Sequence, residues 1–198
     1  YNWTIPSEIT WNGTYSLYAA AAPKNLTDLQ QTRYAEKPVS IQSQDSPDAI
    51  TLMPGWNFIS NPGYLQSGHD TMEIFSDVNS SGHSILGYEG ETESWIPRKA
   101  NDSFSPLWGY WIYSTDIISI PLFVNNTTVS PIRNLKTGWN TLGIQKPDRP
   151  VDQALASIHS NWTYLVRYNA SMQQYMDPII HDNTSDTYPV LKNKDGFW

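Results

Sequence analysis

The chain contains no cysteine among its 198 residues, and it contains few charges. The missing cysteine excludes disulfides, thiol catalysis and cysteine-ligated zinc or iron–sulfur sites. Charged residues make up 16% of the chain, with 12 Lys and Arg, 19 Asp and Glu, a net charge of −7 and no basic run. We therefore expect no nucleic-acid partner, because a phosphate backbone would find no cationic surface. No apolar run reaches the roughly 18 residues of a membrane span, so none is expected within this chain.

Aromatic and uncharged polar residues take the place of the missing charge. Aromatics are 13% of the chain, including nine Trp and twelve Tyr, and Ser, Thr and Asn supply most of the polarity. This composition, with many Gly and Pro, favours a β-rich extracellular protein whose apolar core replaces disulfides.

Asparagine occurs mainly within the glycosylation acceptor pattern Asn-x-Ser/Thr. Ten of the fifteen Asn residues match it, whereas chance predicts about three. One interpretation is that these are turn residues that cluster. The other, which we favour, is a heavily N-glycosylated surface whose glycans keep the chain soluble. The ten acceptors are Asn2, Asn12, Asn25, Asn79, Asn101, Asn125, Asn126, Asn161, Asn169 and Asn183.

One motif is written twice. Leu-x-x-Gly-Trp-Asn begins at Leu52 and again at Leu135, and other aromatic and glycine positions recur after each. The equivalent positions are Gly55, Trp56 and Asn57 with Gly138, Trp139 and Asn140; Tyr88 with Tyr168; Trp95 with Tyr175; and Gly109 and Trp111 with Gly196 and Trp198. Repetition of this length indicates a duplicated domain rather than a short solenoid unit.

Each copy predicts a short strand after Gly, one short helix and several further strands. Apolar residues spaced as on a helix are Met72, Phe75 and Val78 after Thr71 as N-cap in copy one, and Val151, Ala154, Leu155 and Ile158 after Pro150 in copy two. We expect a mainly β, β-rich α+β fold with two small sandwich- or barrel-like modules in tandem. The expected divisions are 1–48, an N-terminal β segment or assembly arm; 49–126, module one; and 127–198, module two, which lacks the last strands of module one and so indicates a longer polypeptide.

The repeat resembles one found in tandem in S-layer-like or adhesin-like cell-surface proteins of methanogenic archaea and some bacteria. The resemblance covers roughly residues 50–198 and is carried by Gly-Trp-Asn, the Tyr strand, the aromatic about seven residues later and Gly-Tyr-Trp-Ile. It implies an extracellular structural module without assigned catalytic residues. Copy two departs from the pattern with Phe197 for Tyr and with Asp195 where copy one has Trp108.

The recurring aromatics allow two interpretations, a platform for sugar rings or a structural core. Their fixed offsets from turn glycines favour the core, in which Asn57 and Asn140 would bond nearby backbone. Four Trp residues have no counterpart in the other copy and are the better candidates for surface contacts with glycan or a neighbouring subunit: Trp3, Trp11, Trp108 and Trp162.

No motif indicates an enzyme. The four histidines, His69, His83, His159 and His181, form no metalloprotease spacing, and no nucleophile elbow or phosphate-binding glycine loop is present. We expect no cofactor other than covalent glycans. Calcium is the alternative left open, in two oxygen-rich loops that carry Asp45 and Asp48, and Asp182 and Asp186.

The sequence therefore predicts a glycosylated extracellular structural protein of an archaeal cell surface. We expect it to assemble with copies of itself into a layer, sheath or filament, with strand exchange through the N-terminal arm as a specific hypothesis. The alternative is a carbohydrate-binding or adhesion module that uses exposed Trp residues.

Overall fold

The structure is a computed structural model and divides the chain into two compact units, residues 1–47 and 48–198. It describes residues 13–21, 33–41, 48–125, 129–159, 161–181 and 188–198. In the first unit, strands β1 (Gly13–Ala21) and β2 (Arg33–Ile41) form an antiparallel pair. The described residues are mainly strand with little helix, which confirms the predicted β-rich class.

Copy one contains six strands and a turn of 3₁₀ helix. They are β3 (Asp48–Leu52), β4 (Gly55–Ser60), the 3₁₀ turn Met72–Phe75, β5 (Ile85–Glu89), β6 (Ser94–Arg98), β7 (Gly109–Ser114) and β8 (Ile118–Leu122). An antiparallel sheet has the order β4-β7-β5-β6, and β3 pairs separately with β8.

Strand β8 shows how the local sequence specifies its place. Ile120 and Leu122 are buried, while Ser119 and Pro121 between them are exposed, which is the alternation of a half-buried strand. Pro121 lies opposite Ala49 and has no N–H, so it is tolerated because β8 is an edge strand.

Copy two repeats this framework with shorter elements. They are β9 (Arg149–Pro150), helix α1 (Val151–Ala154), the 3₁₀ turn Ala156–Ile158, β10 (Tyr164–Leu165), β11 (Tyr168–Asn169), β12 (Gln174–Tyr175), β13 (Ile179–Ile180) and β14 (Val190–Leu191). The helical turns fall at the two predicted places, but Thr71 makes no side-chain cap bond.

Strand pairing has the same register in both copies. The equivalent pairs are Ile59–Tyr110 with Leu142–Phe197, Gly87–Tyr110 with Arg167–Phe197, and Tyr88–Trp95 with Tyr168–Tyr175. The sequence repeat is therefore a structural repeat, down to individual paired residues.

Each copy has its own hydrophobic cluster, although 48–198 form one compact unit. The first is built on Ile50, Leu52, Ile59, Leu65, Met72, Phe75, Phe104, Tyr110, Ile112, Ile120 and Leu122. The second is smaller and is built on Ile144, Val151, Leu155, Leu165, Leu191 and Phe197. Within the described ranges, no helix has the length and apolar character needed to cross a membrane.

Candidate functional site

The two Gly-Trp-Asn motifs form the same turn. Asn57 accepts from the Met53 N–H at 2.8 Å and donates to the carbonyls of Met53 and Gly55 at 2.8 and 3.0 Å. Gly55 has a φ of 100°, in the left-handed region where a side chain would be strained.

In copy two, Asn140 accepts from the Lys136 N–H at 3.0 Å and donates to the carbonyls of Lys136 and Gly138 at 2.8 and 3.0 Å. Gly138 has a φ of 94°. The motif asparagines thus bond the backbone of their own turns, which agrees with the structural role predicted from the repeat.

Trp111 of copy one makes ring contacts with copy two. Its ring lies 4.6 Å from Tyr168 and 6.1 Å from Tyr175 between centroids, both edge-to-face. Edge-to-face contacts between aromatic rings are favourable because of the ring quadrupole. Trp111 is only 8% exposed, so this contact is part of the interior.

Trp198, its counterpart in copy two, makes the equivalent contacts with copy one. Its ring lies 4.9 Å from Tyr88 and 5.3 Å from Trp95, again edge-to-face. Each copy therefore inserts its last framework Trp against the Tyr strand of the other. Such reciprocity is the signature of an isologous contact, here between two halves of one chain.

Backbone hydrogen bonds across the copies are reciprocal as well. The Ser60 N–H donates to the Lys194 carbonyl at 2.8 Å, and its counterpart, the Gly143 N–H, donates to the Leu107 carbonyl at 3.0 Å. The Gly196 N–H also donates to the Phe58 carbonyl at 2.9 Å. The free edge of β4 is thereby covered by copy two, which removes an unpaired strand edge.

Small residues permit this close approach. A Cβ on Gly143 would lie 1.6 Å from Ser60 Oγ, and one on Gly196 would lie 2.6 Å from Phe58 Cδ2. A Cβ on Gly109 would lie 2.8 Å from Phe58 Cε2. The repeated Gly109 and Gly196 are thus required by contacts around one ring.

Gln173 joins the copies in a way that sequence reasoning missed. It accepts from the Trp56 N–H at 2.7 Å and donates to the Trp56 carbonyl at 2.9 Å, so one amide satisfies both backbone groups. Its counterpart in copy one is Glu93, whose side chain faces Gly138 of the second motif. Gln173 and Glu93 both have a positive φ, of 52° and 49° respectively. The sequence did offer one signal for this role, because Gln173 and Glu93 occupy equivalent positions in the turn between the two paired strands of each copy.

Two charged contacts add to the junction. The Arg133 guanidinium lies 3.9 Å from the Trp108 ring centroid and donates to the carbonyls of Leu107 and Thr141. Burial lowers the pKa of Arg133 to about 10, and it remains charged at neutral pH.

Asp48 of β3 pairs with Lys146 and with Lys194, the latter at 2.8 Å. Partial burial alone would raise the pKa of Asp48, but hydrogen bonds and charge attraction from the two lysines outweigh it and lower the pKa below its ordinary value. This pairing ties the first strand of copy one to copy two.

Framework aromatics from both copies also surround an open pocket of about 390 Å³. It is lined by Tyr88, Trp95, Trp139, Val166, Tyr175 and Trp198. The Trp198 ring stands at 90° to Trp95 and at 89° to Trp139, so the rings form walls rather than a flat platform.

The expectation that the recurring aromatics belong to the core is correct for Trp111 and Tyr88 and wrong for three others. Trp95, Trp139 and Tyr175 are 43%, 50% and 55% exposed, because they lie at the open rim between the copies.

Two of the four candidate surface aromatics lie within the described residues. Trp108 and Trp162 are half-buried and pack against the first and second clusters. Trp3 and Trp11 lie outside the described residues.

Five acceptor asparagines are described with their side chains. Asn79, Asn101, Asn125 and Asn161 are exposed, while Asn169 is half-buried and accepts hydrogen bonds from Ser171 and Met172. Asn2, Asn12, Asn25, Asn126 and Asn183 lie outside the residues whose side chains the structure describes.

In the described ranges, no group of three or more His, Asp or Glu is placed to hold a metal ion. Of the calcium candidates, Asp48 is occupied by its two lysines, and Asp45, Asp182 and Asp186 lie outside the described residues. His83 packs against Trp56 and Tyr113 at 5.2 and 4.5 Å.

Comparison with known proteins adds no family. No protein-family model matches the chain, no curated protein matches it, and no solved structure matches its fold.

Proposed function

We propose that this chain is an extracellular, glycosylated structural protein that assembles with copies of itself at an archaeal cell surface. The observation that carries the proposal is the reciprocal docking of the two copies. Their recurring aromatics, glycines and motif turns serve to hold one copy against the other. A repeat used in this way is a building block rather than a site used twice.

The exposed acceptor asparagines support the same proposal. Asn79, Asn101, Asn125 and Asn161 are exposed in the second unit, so their side chains are accessible for modification. A glycan coat supplies hydration that the low content of charged residues does not. The resemblance of the repeat to archaeal cell-surface repeats agrees with this proposal.

The test is the intact mass of the native protein together with electron microscopy of the same sample. We expect discrete sugar increments above the 22.5 kDa of this chain and ordered arrays or filaments. Isolated particles without sugar increments would refute both the glycosylation and the assembly.

Carbohydrate binding is the second candidate, and the aromatic pocket between the copies favours it. Exposed Trp and Tyr rings stack readily on sugar rings. Titration with soluble oligosaccharides, followed by tryptophan fluorescence, tests this function. Binding that is lost in Trp95→Ala and Trp139→Ala would support it, and an unchanged spectrum at millimolar sugar would refute it.

A further inference from the structure

Rings from both copies stand at steep angles around the open pocket of about 390 Å³, a volume within the range of small-molecule sites. The Trp198 ring meets the Trp95 ring at 90° and the Trp139 ring at 89°, with centroids 5.3 and 6.1 Å apart. It meets the Tyr88 ring at 71°, with centroids 4.9 Å apart. Aromatic walls on several sides of one space are the arrangement that binds quaternary ammonium groups in proteins.

The backbone holds these rings in place without a ligand. Trp198 and Val166 exchange two backbone hydrogen bonds, of 2.9 and 3.0 Å. Tyr88 and Trp95 are paired residues of β5 and β6, and their ring centroids lie 5.2 Å apart. A pocket whose walls are fixed by strand pairing binds its ligand at a low cost in conformational entropy.

The lining of the pocket suits a cation better than a sugar. Its six residues are three Trp, two Tyr and one Val, so the polar side-chain groups that they offer are indole N–H and phenol O–H. A sugar needs several convergent polar groups to fix its hydroxyls. A quaternary ammonium has no hydrogen-bond donor to satisfy and is attracted by the ring faces themselves.

The charge around the pocket has the sign that a cation requires. The Glu93 carboxylate faces the turn that carries Trp139, with Oε1 3.6 Å from the place of a Cβ on Gly138. Lys136, in the same turn, pairs with Glu91 at 3.1 Å. The whole chain carries a net charge of −7, which also favours the approach of a cation.

The repeat builds the same corner of rings in copy one, and there it is covered. Trp111, the counterpart of Trp198, is 8% exposed, and His83 packs against Trp56, the counterpart of Trp139, at 5.2 Å. The offset of 80 that relates Tyr88 to Tyr168 places Thr163 at the position of His83. A threonine supplies no ring, and Trp139 is 50% exposed. The corner in copy two is therefore the one that a ligand can reach.

We propose that this aromatic pocket binds a small quaternary ammonium compound, with the ammonium group against the rings of Trp95, Trp139 and Trp198 and with Glu93 at its rim. The inference stands apart from the structural role. It assigns the pocket a ligand different from the sugar of the second candidate function.

The experiment titrates the full chain with choline at constant ionic strength and measures binding by isothermal titration calorimetry. We expect saturation with a Kd of about 1 mM, since several ring faces contact one cation. The control ligand is the neutral isostere dimethylbutanol, in which carbon replaces the ammonium nitrogen. It has the same shape without the charge and should bind at least about tenfold more weakly.

Variants of the chain test the position of the site. Trp139→Leu should weaken choline binding at least about fivefold, and Trp139→Phe, which keeps a ring, should weaken it less. Glu93→Gln leaves every ring in place and should weaken choline binding about two- to fivefold without changing the affinity for the isostere. Tyr164→Leu is the matched control, because Tyr164 is 51% exposed and lies outside the pocket, and it should bind choline as the parent does.

Three results would overturn the proposal. They are equal affinity for choline and its isostere, no heat of binding at about 100 mM choline, and an oligosaccharide that displaces choline from the pocket at a lower concentration than choline itself requires.

Discussion

A substitution at the closest approach of the two copies tests the reciprocal docking most directly. Ser60 and Gly143 are equivalent positions that face each other, and Ser60 is completely buried. In Gly143→Ala, the new Cβ would lie 1.6 Å from Ser60 Oγ and 2.4 Å from Ser60 Cβ, far inside contact distance. Overpacking of this kind costs about 1–3 kcal/mol, and we expect the upper end because the serine has no free volume to enter.

Removing the serine should rescue the variant. Ser60→Gly alone should cost roughly 0.5–1 kcal/mol for a glycine in a strand. Its hydroxyl makes no hydrogen bond among the described residues, so little else is lost. In the double variant the side chain has merely moved from one copy to the other. The two changes should therefore show a coupling free energy of about 2 kcal/mol rather than add.

Urea denaturation of the four proteins at neutral pH measures this cycle as shifts in midpoint at constant slope. Gly63→Ala is the matched control, because a Cβ there meets only a methyl group at 3.9 Å, and it should change stability little. Additive effects, or a neutral Gly143→Ala, would show that the copies do not approach as described.

Three further predictions concern the junction. Gln173→Ala should lower the free energy of unfolding by about 1–2 kcal/mol in a denaturant titration, because it leaves two backbone groups without partners. Glu93→Gln at the equivalent position should raise the free energy of unfolding by about 0.5–1 kcal/mol, because it supplies the missing donor. No gain from Glu93→Gln would contradict the equivalence of the two positions. Asp48→Asn should cost about 1 kcal/mol at neutral pH. The pKa of Asp48 is lowered in the fold, so its contribution to stability is present above the unfolded pKa of about 3.9 and is lost as pH falls through the folded pKa. From pH 5 to pH 2, the free energy of unfolding of the variant should therefore fall less steeply than that of the parent. Arg133→Met should lower the thermal midpoint by about 2–4 °C for each kcal/mol of stability lost. Arg133→Lys should lower the midpoint less than Arg133→Met but not leave it at the parent value, because a compact ammonium stacks less well on Trp108 than a planar guanidinium. Equal midpoints for both variants would refute the stacking role.

Much of the fold was readable from local patterns. The β-rich class follows from the aromatic strands and turn glycines, and the two helical turns follow from apolar spacing at Met72 and Val151. The backbone role of the motif asparagines was readable too, because a short amide reaches only its own turn.

The sequence did not predict which of the recurring aromatics would be buried and which exposed. Trp111 and Trp139 each lie within two residues after a framework glycine, yet Trp111 is 8% exposed and Trp139 is 50% exposed. Exposure here depends on what the other copy and the neighbouring strand place over each ring. Such contacts join residues far apart in sequence, and strand alternation shows which face is apolar without showing what covers it.

By itself, the sequence determined the duplication, its equivalent positions, the β-rich character and the positions of the Asn-x-Ser/Thr patterns. These are properties of composition and local order, and a chain carries them before it folds. Only the tertiary structure decided that the two copies dock reciprocally and that Gln173 satisfies the backbone of Trp56. The physical reason is that these features depend on shape and backbone pairing between distant segments, which the packing of the whole unit sets.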